Sequence, residues 1–301
     1  MTLPGIVVLC DAVELAAIVL QKPLFDKDLT KQFFPGQPAA DAEGDIKDVL
    51  ALARTRQAAA PAGYPFVVTD HSIVFQQPNG FDLYTFLLLG RTLEFGGPVN
   101  SEELLRSFRR FFEDVVSWSL RKAGFMSEVL SEPRAFRGLH VQLAPALREI
   151  SDRFREAAVL REDRLAPHDN DLDVDVLAVP FVGNLGRSGW PTVQIQCATG
   201  AIAQLESKLA EGANNFATVW DTGFFPGNRI RGVATPYELL KLDEVYWFRL
   251  GQVGWVLDRT RIAYLSSNAR VVPLSNEVNT FWTNLWAART QIDWQTGWQQ
   301  I

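Results

Sequence analysis

Apolar and polar positions follow two different periods along this chain, and the periods predict a mixture of helices and strands. Residues 101–123 repeat apolar side chains every three to four positions behind Ser101, a residue type typical of helix N-caps. Residues 172–179 and 192–198 instead alternate at every second position, as strands do. The Gly-rich stretch 183–190 separates them, so the pattern predicts two adjacent strands joined as a hairpin.

The same reasoning predicts further elements on both sides of this segment. The predicted helices span 46–58, 81–90, 144–159, 201–211 and 275–289, and the predicted strands span 64–69, 72–76, 244–257 and 259–265. Residues 35–46, rich in Pro, Gly and Asp, are predicted to form a loop. Apolar residues dominate the first 20 positions, but Asp11 and Glu14 interrupt them, so we expect a buried helix or strand and no membrane association. The resulting fold class is α/β, of the α+β kind.

The distribution of residue types suggests how the chain is organised. All nine tryptophans follow residue 117, and the Gly96–Pro98 tripeptide marks a break in the pattern. We therefore predict an N-terminal α+β accessory region over 1–98, a core domain over 99–265 and a C-terminal helical segment over 266–301.

Composition and charge exclude several classes of protein. Two cysteines in 301 residues cannot form a disulfide framework, and we expect a cytoplasmic protein. A formal charge of -6 means that any nucleic-acid contact must use a local patch. The chain lacks the phosphate-binding Gly-x-x-x-x-Gly-Lys-Ser/Thr loop and the Gly-x-Ser-x-Gly elbow of serine hydrolases. Cys197 lies on the apolar face of its predicted strand, which favours a buried structural thiol over a nucleophile.

Carboxylates and amides mark the two strands of the predicted hairpin. Asp171, Asp173 and Asp175 would share one face of the first strand, and Gln194 and Gln196 one face of the second. Such oxygen clusters bind hard divalent cations. The same alternation also fits the solvated face of an antiparallel sheet, so both interpretations stay open at this point.

Three short motifs in order resemble the PD-(D/E)xK nuclease superfamily, and more narrowly its Mrr-type restriction-endonuclease branch. The first is Phe112-Glu113-Asp114-Val115-Val116 on the long helix, which is similar to the first core helix of that family. The second, over 171–178, resembles its Asp-Gly-Gly-Ile-Asp strand, and the third, over 193–198, resembles its Val-Gln-Cys-Lys strand. The resemblance covers about residues 105–210 and implies a restriction-endonuclease-like mixed sheet flanked by helices.

The resemblance also implies a reaction and a site. Asp175, Gln196 and Glu113 would hold Mg²⁺ or Mn²⁺ in a metal-dependent DNA endonuclease of restriction or anti-phage defence. Asp173 stands where the family has glycine, and Ala198 stands where it has its lysine. Catalytic residues of this superfamily can move between neighbouring elements, so Lys208, on the helix after the Gln196 strand, is the candidate replacement.

DNA is the expected partner, together with a protein partner or a second copy of the chain. The candidate phosphate contacts are five arginines, two of them in a predicted loop and two on one face of a predicted strand: Arg110, Arg229, Arg231, Arg259 and Arg261. The missing lysine at Ala198 and the acidic charge balance leave an alternative, a catalytically degenerate nuclease-fold subunit that serves as nucleic-acid sensor or scaffold in a defence complex.

Overall fold

The computed structural model of this chain has two compact units. Unit 1 comprises residues 1–111, 236–244 and 258–301, and unit 2 comprises residues 112–235 and 245–257. The structure describes residues 3–93, 101–154, 159–165, 171–181, 191–200, 205, 208, 216, 218–222, 229–239, 254–266 and 275–292. Within these residues the chain is a mixed α/β protein. Each unit is therefore built from separate stretches of sequence.

The regular elements are listed here in chain order. The helices are α1 (Leu3–Leu20), α2 (Asp26–Phe33), α3 (Ala39–Ala59), α4 (Leu83–Thr92), α5 (Ser101–Lys122), α6 (Leu143–Arg153), α7 (Arg259–Ser266) and α8 (Asn276–Ala288). The strands are β1 (Leu24–Phe25), β2 (Phe66–Val68), β3 (Ser72–Phe75), β4 (Phe125–Val129), β5 (Val159–Leu160), β6 (Val176–Pro180), β7 (Thr192–Cys197), β8 (Trp220–Thr222), β9 (Arg229–Ala234) and β10 (Trp255–Leu257).

Unit 1 surrounds a buried network of ionised and hydroxyl groups. Glu14 of α1 is fully buried and accepts hydrogen bonds from Arg56 at 2.7 Å, Tyr64 at 2.7 Å and Tyr84 at 2.9 Å. Arg56 and Arg259 also pair with Asp11. A buried charge is tolerated only when partners replace its lost hydration, so this network accounts for the acidic residues inside an otherwise apolar first helix.

Unit 2 contains a five-stranded mixed sheet in the order β10-β9-β7-β6-β4. Strands β4, β6 and β7 pair antiparallel, whereas β7, β9 and β10 run parallel. Apolar side chains of α6 pack in one core cluster with Leu177 and Val179 of β6. A hydrogen bond of 3.0 Å between Ser117 and Ser127 joins α5 to β4.

Most of the predicted elements are confirmed. The long helix, the 64–76 hairpin, the helix near 81–90 and the closing helix all form close to their predicted bounds. The two site strands are antiparallel neighbours, with Val176 opposite Ile195. The predicted loop over 35–46 is wrong in its second half, because α3 already begins at Ala39 behind Pro38.

Other predicted elements need correction. Residues 259–266 form helix α7 and not a strand. The predicted helix over 144–159 ends at Arg153, and β5 begins at Val159. The predicted hairpin loop 183–190, the Gly96–Pro98 break and most of 201–211 and 244–253 lie outside the described residues. Among the described residues, no helix has both the length and the apolar character needed to cross a membrane.

Two helical glycines in unit 1 give a matched test of this packing. A Cβ added at Gly90 of α4 would overlap the ring of Phe108 on α5, whereas a Cβ added at Gly44 of α3 has open space around it. We expect Gly90→Ala to lower the free energy of unfolding by about 1–3 kcal/mol, because the packed ring must move. Gly44→Ala should raise it by about 0.5–1 kcal/mol through helix propensity.

Urea unfolding followed by circular dichroism measures both changes. Equal effects of the two substitutions would contradict the close approach of α4 and α5.

Candidate active site

Asp175 lies at the end of the unit 2 sheet, directly before β6. Its backbone N–H donates to the Ile195 carbonyl at 3.0 Å, and its carbonyl accepts from Leu130 N–H at 2.8 Å. Its carboxylate Oδ2 accepts from the backbone N–H of Cys197 at 2.6 Å. Asp175 therefore bonds to both residues that flank Gln196, and the backbone fixes the position of its carboxylate.

The residues before Asp175 form a turn, which corrects the prediction that three aspartates share one strand face. Strand β6 begins only at Val176, and Val174 N–H donates to the Asp171 carbonyl at 3.1 Å. Leu172 and Asp173 have φ angles of 57° and 60°, in the left-handed region that favours glycine. Adopting this conformation with a side chain costs about 1 kcal/mol or more per residue. Asp171 therefore lies in the turn, whereas the backbone of Asp175 is hydrogen-bonded to β7.

Strand β7 carries three buried polar side chains at alternate positions. Thr192, Gln194 and Gln196 are 0%, 3% and 9% exposed, and they share one face of the strand. Within the described structure, Thr192 Oγ1, both amide atoms of Gln194 and Oε1 of Gln196 have no hydrogen-bond partner. Native proteins rarely leave buried polar atoms unpaired, so each of these atoms requires an explanation. Gln196 lies between Ile195 and Cys197, the two residues of β7 that hydrogen-bond to Asp175.

Glu113 of α5 is held by two donors that follow strand β4. Ser131 donates its hydroxyl to Glu113 Oε2, and Arg137 donates from Nη2 to the same oxygen at 3.1 Å. The neighbouring Asp114 accepts from Arg137 Nε at 2.7 Å. The sequence motif predicted Glu113, but Ser131 and Arg137 were missed, because each lies outside the three motifs and becomes relevant only when β4 packs beside α5.

The acidic groups of the site influence each other's protonation. Burial raises the pKa of Glu113 from 4.5 to about 8, and the Asp175 charge adds to this shift. Burial also raises the pKa of Asp175 from 3.8 to about 6, although the bond from Cys197 N–H opposes the shift. Raised carboxyl pKa values in a polar pocket are typical of functional sites, and a bound cation would lower both.

Lys208 has helical backbone, is half-buried and belongs to the same electrostatic environment. Its positive charge opposes the rise in pKa of both Asp175 and Asp171. Burial raises the pKa of the Cys197 thiol well above its usual range, so this residue is not a thiolate at neutral pH. Electrostatic interactions therefore link Asp175 with Glu113 and with Lys208, and Gln196 lies between Ile195 and Cys197, the two residues that hydrogen-bond to Asp175. Ala198, which stands where the resembled family has its lysine, is 2% exposed.

The five arginines predicted to contact phosphate differ in burial and in their contacts. Arg259 is fully buried in helix α7 and pairs with Asp11, so it offers no surface to DNA and the prediction for it is wrong. Arg261 shares the same helix and not a strand face with it, and pairs with Asp258. Arg229 and Arg231 lie in strand β9 and not in a loop, both half-buried. Arg110 is half-buried, with its guanidinium 4.6 Å from the Phe111 ring centre.

Comparisons with known proteins identify no relative: no family model, no curated protein and no solved structure matches this chain. In the part of the chain that the structure describes, no group of three or more His, Cys, Asp or Glu side chains is arranged to hold one metal ion. The candidate ligands named from the sequence are two carboxylates, Asp175 and Glu113, and one amide, Gln196.

The raised pKa of Glu113 predicts a pH dependence of stability in the absence of metal. The folded state retains a proton on Glu113 between pH 4.5 and about 8, whereas the unfolded chain releases it. This group therefore stabilises the fold fully below pH 4.5, and the contribution, a few kcal/mol at most, is lost as the pH rises towards 8.

Melting temperatures in chelator at pH 5.5 and pH 8.5 measure this effect. We expect Glu113→Gln to reduce the fall between the two pH values, and Glu102→Gln, on an exposed position of the same helix, to leave it unchanged. A fall of the same size in Glu113→Gln would contradict the burial of that carboxyl group.

Proposed function

We propose that this chain is a metal-dependent DNA endonuclease of the restriction or anti-phage defence type. The order of elements in unit 2 supports the resemblance on which the proposal rests: helix α5, antiparallel strands β4, β6 and β7, helical backbone at Lys208, and then β9 parallel to β7. The left-handed turn before Asp175 supports it too. Leu172 and Asp173 adopt positive φ at the two positions where the family's strand motif has glycines.

A single observation carries the proposal, namely the unpaired amide oxygen of Gln196. This oxygen is buried, and no described group donates a hydrogen bond to it. Gln196 directly follows Ile195, whose carbonyl accepts a hydrogen bond from the Asp175 N–H. An amide oxygen with one or two carboxylates is a donor set that Mg²⁺ or Mn²⁺ accepts while keeping several waters. We take Asp175 as the central ligand of a divalent cation, with Gln196 and Glu113 as the further ligands that the sequence resemblance implies, and the cation would supply Lewis acidity at a phosphate and acidify a bound water.

Lys208 supplies the positive charge that Ala198 lacks. Its positive charge opposes the rise that burial causes in the pKa of Asp175 and Asp171, which supports a position near these carboxyl groups. In the proposed reaction Lys208 orients a water molecule or stabilises negative charge on the phosphoryl oxygens. The Cys197 N–H keeps the Asp175 carboxylate in place throughout, because it is part of the backbone of β7.

One observation favours a second candidate, a catalytically degenerate nuclease-fold subunit that acts as a sensor or scaffold. Lys208 interacts with two aspartates, so its charge can serve to neutralise them in place of a metal ion. In that case the site would hold its shape without a cation, and DNA binding would occur without cleavage.

Plasmid nicking in Mg²⁺ or Mn²⁺ tests the proposal. We expect wild-type protein to cut supercoiled DNA, and Asp175→Asn to lower the rate by about two to three orders of magnitude, because it removes the charge of the central ligand while retaining its shape. The matched control is Asp163→Asn, an exposed aspartate of the same unit, which should cut normally.

Absence of nicking by wild-type protein that still binds DNA would favour the degenerate subunit. Normal cutting by Asp175→Asn would overturn the assignment of the site.

Lys208 generates a separate prediction. Lys208→Ala should lower the nicking rate by about two orders of magnitude, the usual effect of losing one electrostatic stabiliser. Lys208→Arg should recover only part of this, because a guanidinium is a planar fork and not a compact charge. Lys122→Ala, which changes an exposed lysine at the end of α5, is the control and should cut like wild type. Equal rates for all four proteins would remove Lys208 from the mechanism.

A further inference from the structure

Arg137 makes more polar contacts than its place in the sequence suggests. It ends the short 3₁₀ helix Arg134–Arg137 after strand β4, and its side chain is only 7% exposed. Nε and Nη2 donate to the two carboxylate oxygens of Asp114 at 2.7 and 3.3 Å. Nη1 donates to the Ser131 carbonyl at 2.7 Å and its hydroxyl at 3.2 Å. Nη2 also reaches Glu113 Oε2 at 3.1 Å.

These contacts fix both ends of the guanidinium group. The paired bonds to Asp114 are the bidentate arrangement that holds an arginine most firmly, and the bonds to Ser131 anchor the group to the end of β4. The remaining contact is then directed at Glu113. Arg137 therefore links helix α5 to the strand end, where Ser131 also donates to Glu113.

The arrangement leaves one oxygen of Glu113 for another use. Both donors described for this carboxylate, Ser131 and Arg137, bind Oε2. A carboxylate held through one oxygen cannot rotate freely, so Oε1 keeps a fixed direction. Burial raises the pKa of both Glu113 and Asp175, and the positive charge of Arg137 offsets part of that rise.

We propose that Arg137 is a positioning residue that holds Glu113 so that its second oxygen, together with Asp175, binds the divalent cation. This inference rests on the proposed function, because it assigns a role in the same metal site. Arg137 does not touch the cation, and Asp114 acts through it as its anchor. Groups that support metal ligands in this way typically contribute about tenfold to a hundredfold in affinity.

Calorimetric titration of the full chain with Mn²⁺ alone tests this role, with melting temperature as a separate measure of folding. We expect Arg137→Gln to weaken Mn²⁺ binding about tenfold or more, and Arg137→Lys to recover part of the loss. Asp114→Asn should weaken binding by a smaller factor, because it loosens the anchor without changing any proposed ligand.

The control is Arg121→Gln. Arg121 also joins α5 to β4, through a 2.8 Å bond to the Ser127 carbonyl, but it has no described contact with Glu113. It should lose stability without losing Mn²⁺ affinity, which separates a general structural role from positioning.

The outcomes distinguish the two claims. Wild-type protein that binds no Mn²⁺ overturns the proposed metal site and this inference with it. If the two Arg137 variants and Asp114→Asn bind Mn²⁺ as tightly as the wild-type protein does, the role of Arg137 is overturned and the proposed metal site is not. If Arg137→Gln does not fold, the comparison of Arg137→Lys and Asp114→Asn with wild type decides the question.

Discussion

The contact between strands β6 and β7 is the interaction on which the candidate site depends. Where these strands meet, the backbone of β7 binds Asp175 twice, once through the Ile195 carbonyl and once through the Cys197 N–H. Because both groups belong to the main chain, the position of the carboxylate follows from strand pairing and not from side-chain packing. Any change that shifted the register by one residue would move Gln196 to the other face of the sheet.

Burial of charge is organised differently in the two units. In unit 1, Glu14 has three hydrogen-bond donors and arginines lie beside it, so its charge is compensated within the protein. In unit 2, burial and the Asp175 charge raise the pKa of Glu113, and the amide oxygen of Gln196 has no described hydrogen-bond partner. Unit 1 also contains a carboxyl group whose pKa burial raises to about 7, Asp258, and a buried amide oxygen without a described hydrogen-bond partner, Gln32 Oε1. The proposed chemistry is placed in unit 2 because Asp175, Gln196 and Glu113 belong to the three motifs that carry the sequence resemblance.

The supports of the site come from parts of the sequence that are far apart. Glu113 and Asp114 lie on α5, Arg137 and Ser131 follow β4, and Asp175 precedes β6. The strained turn at Leu172 and Asp173 shapes the backbone immediately before Asp175. The left-handed backbone and the desolvated carboxylates both cost free energy at this point. A sheet end with a purely structural role would not require either.

The sequence by itself determined most of the local elements and selected the candidate residues of the site. Periodicity predicted α5, β7 and the hairpin β2–β3, because these segments have one buried face. Motif order selected Asp175, Gln196 and Glu113. Periodicity failed at 171–175, where aspartates at alternate positions lie in a turn, and at 259–265, where residues of mixed character form helix α7.

The tertiary structure decided what these local patterns leave open. Arg259 has the positive charge expected of a phosphate contact, but it is buried against Asp11, which is 248 residues away in sequence. Arg137 belongs to none of the three motifs, and it contacts Glu113 and Asp114 only because β4 ends beside α5. The unpaired state of Gln196 Oε1 is likewise a property of packing. The contacts of Arg259 and Arg137 join residues that are distant in the chain, and the surroundings of Gln196 depend on packing. Patterns over a few neighbouring residues therefore cannot predict them.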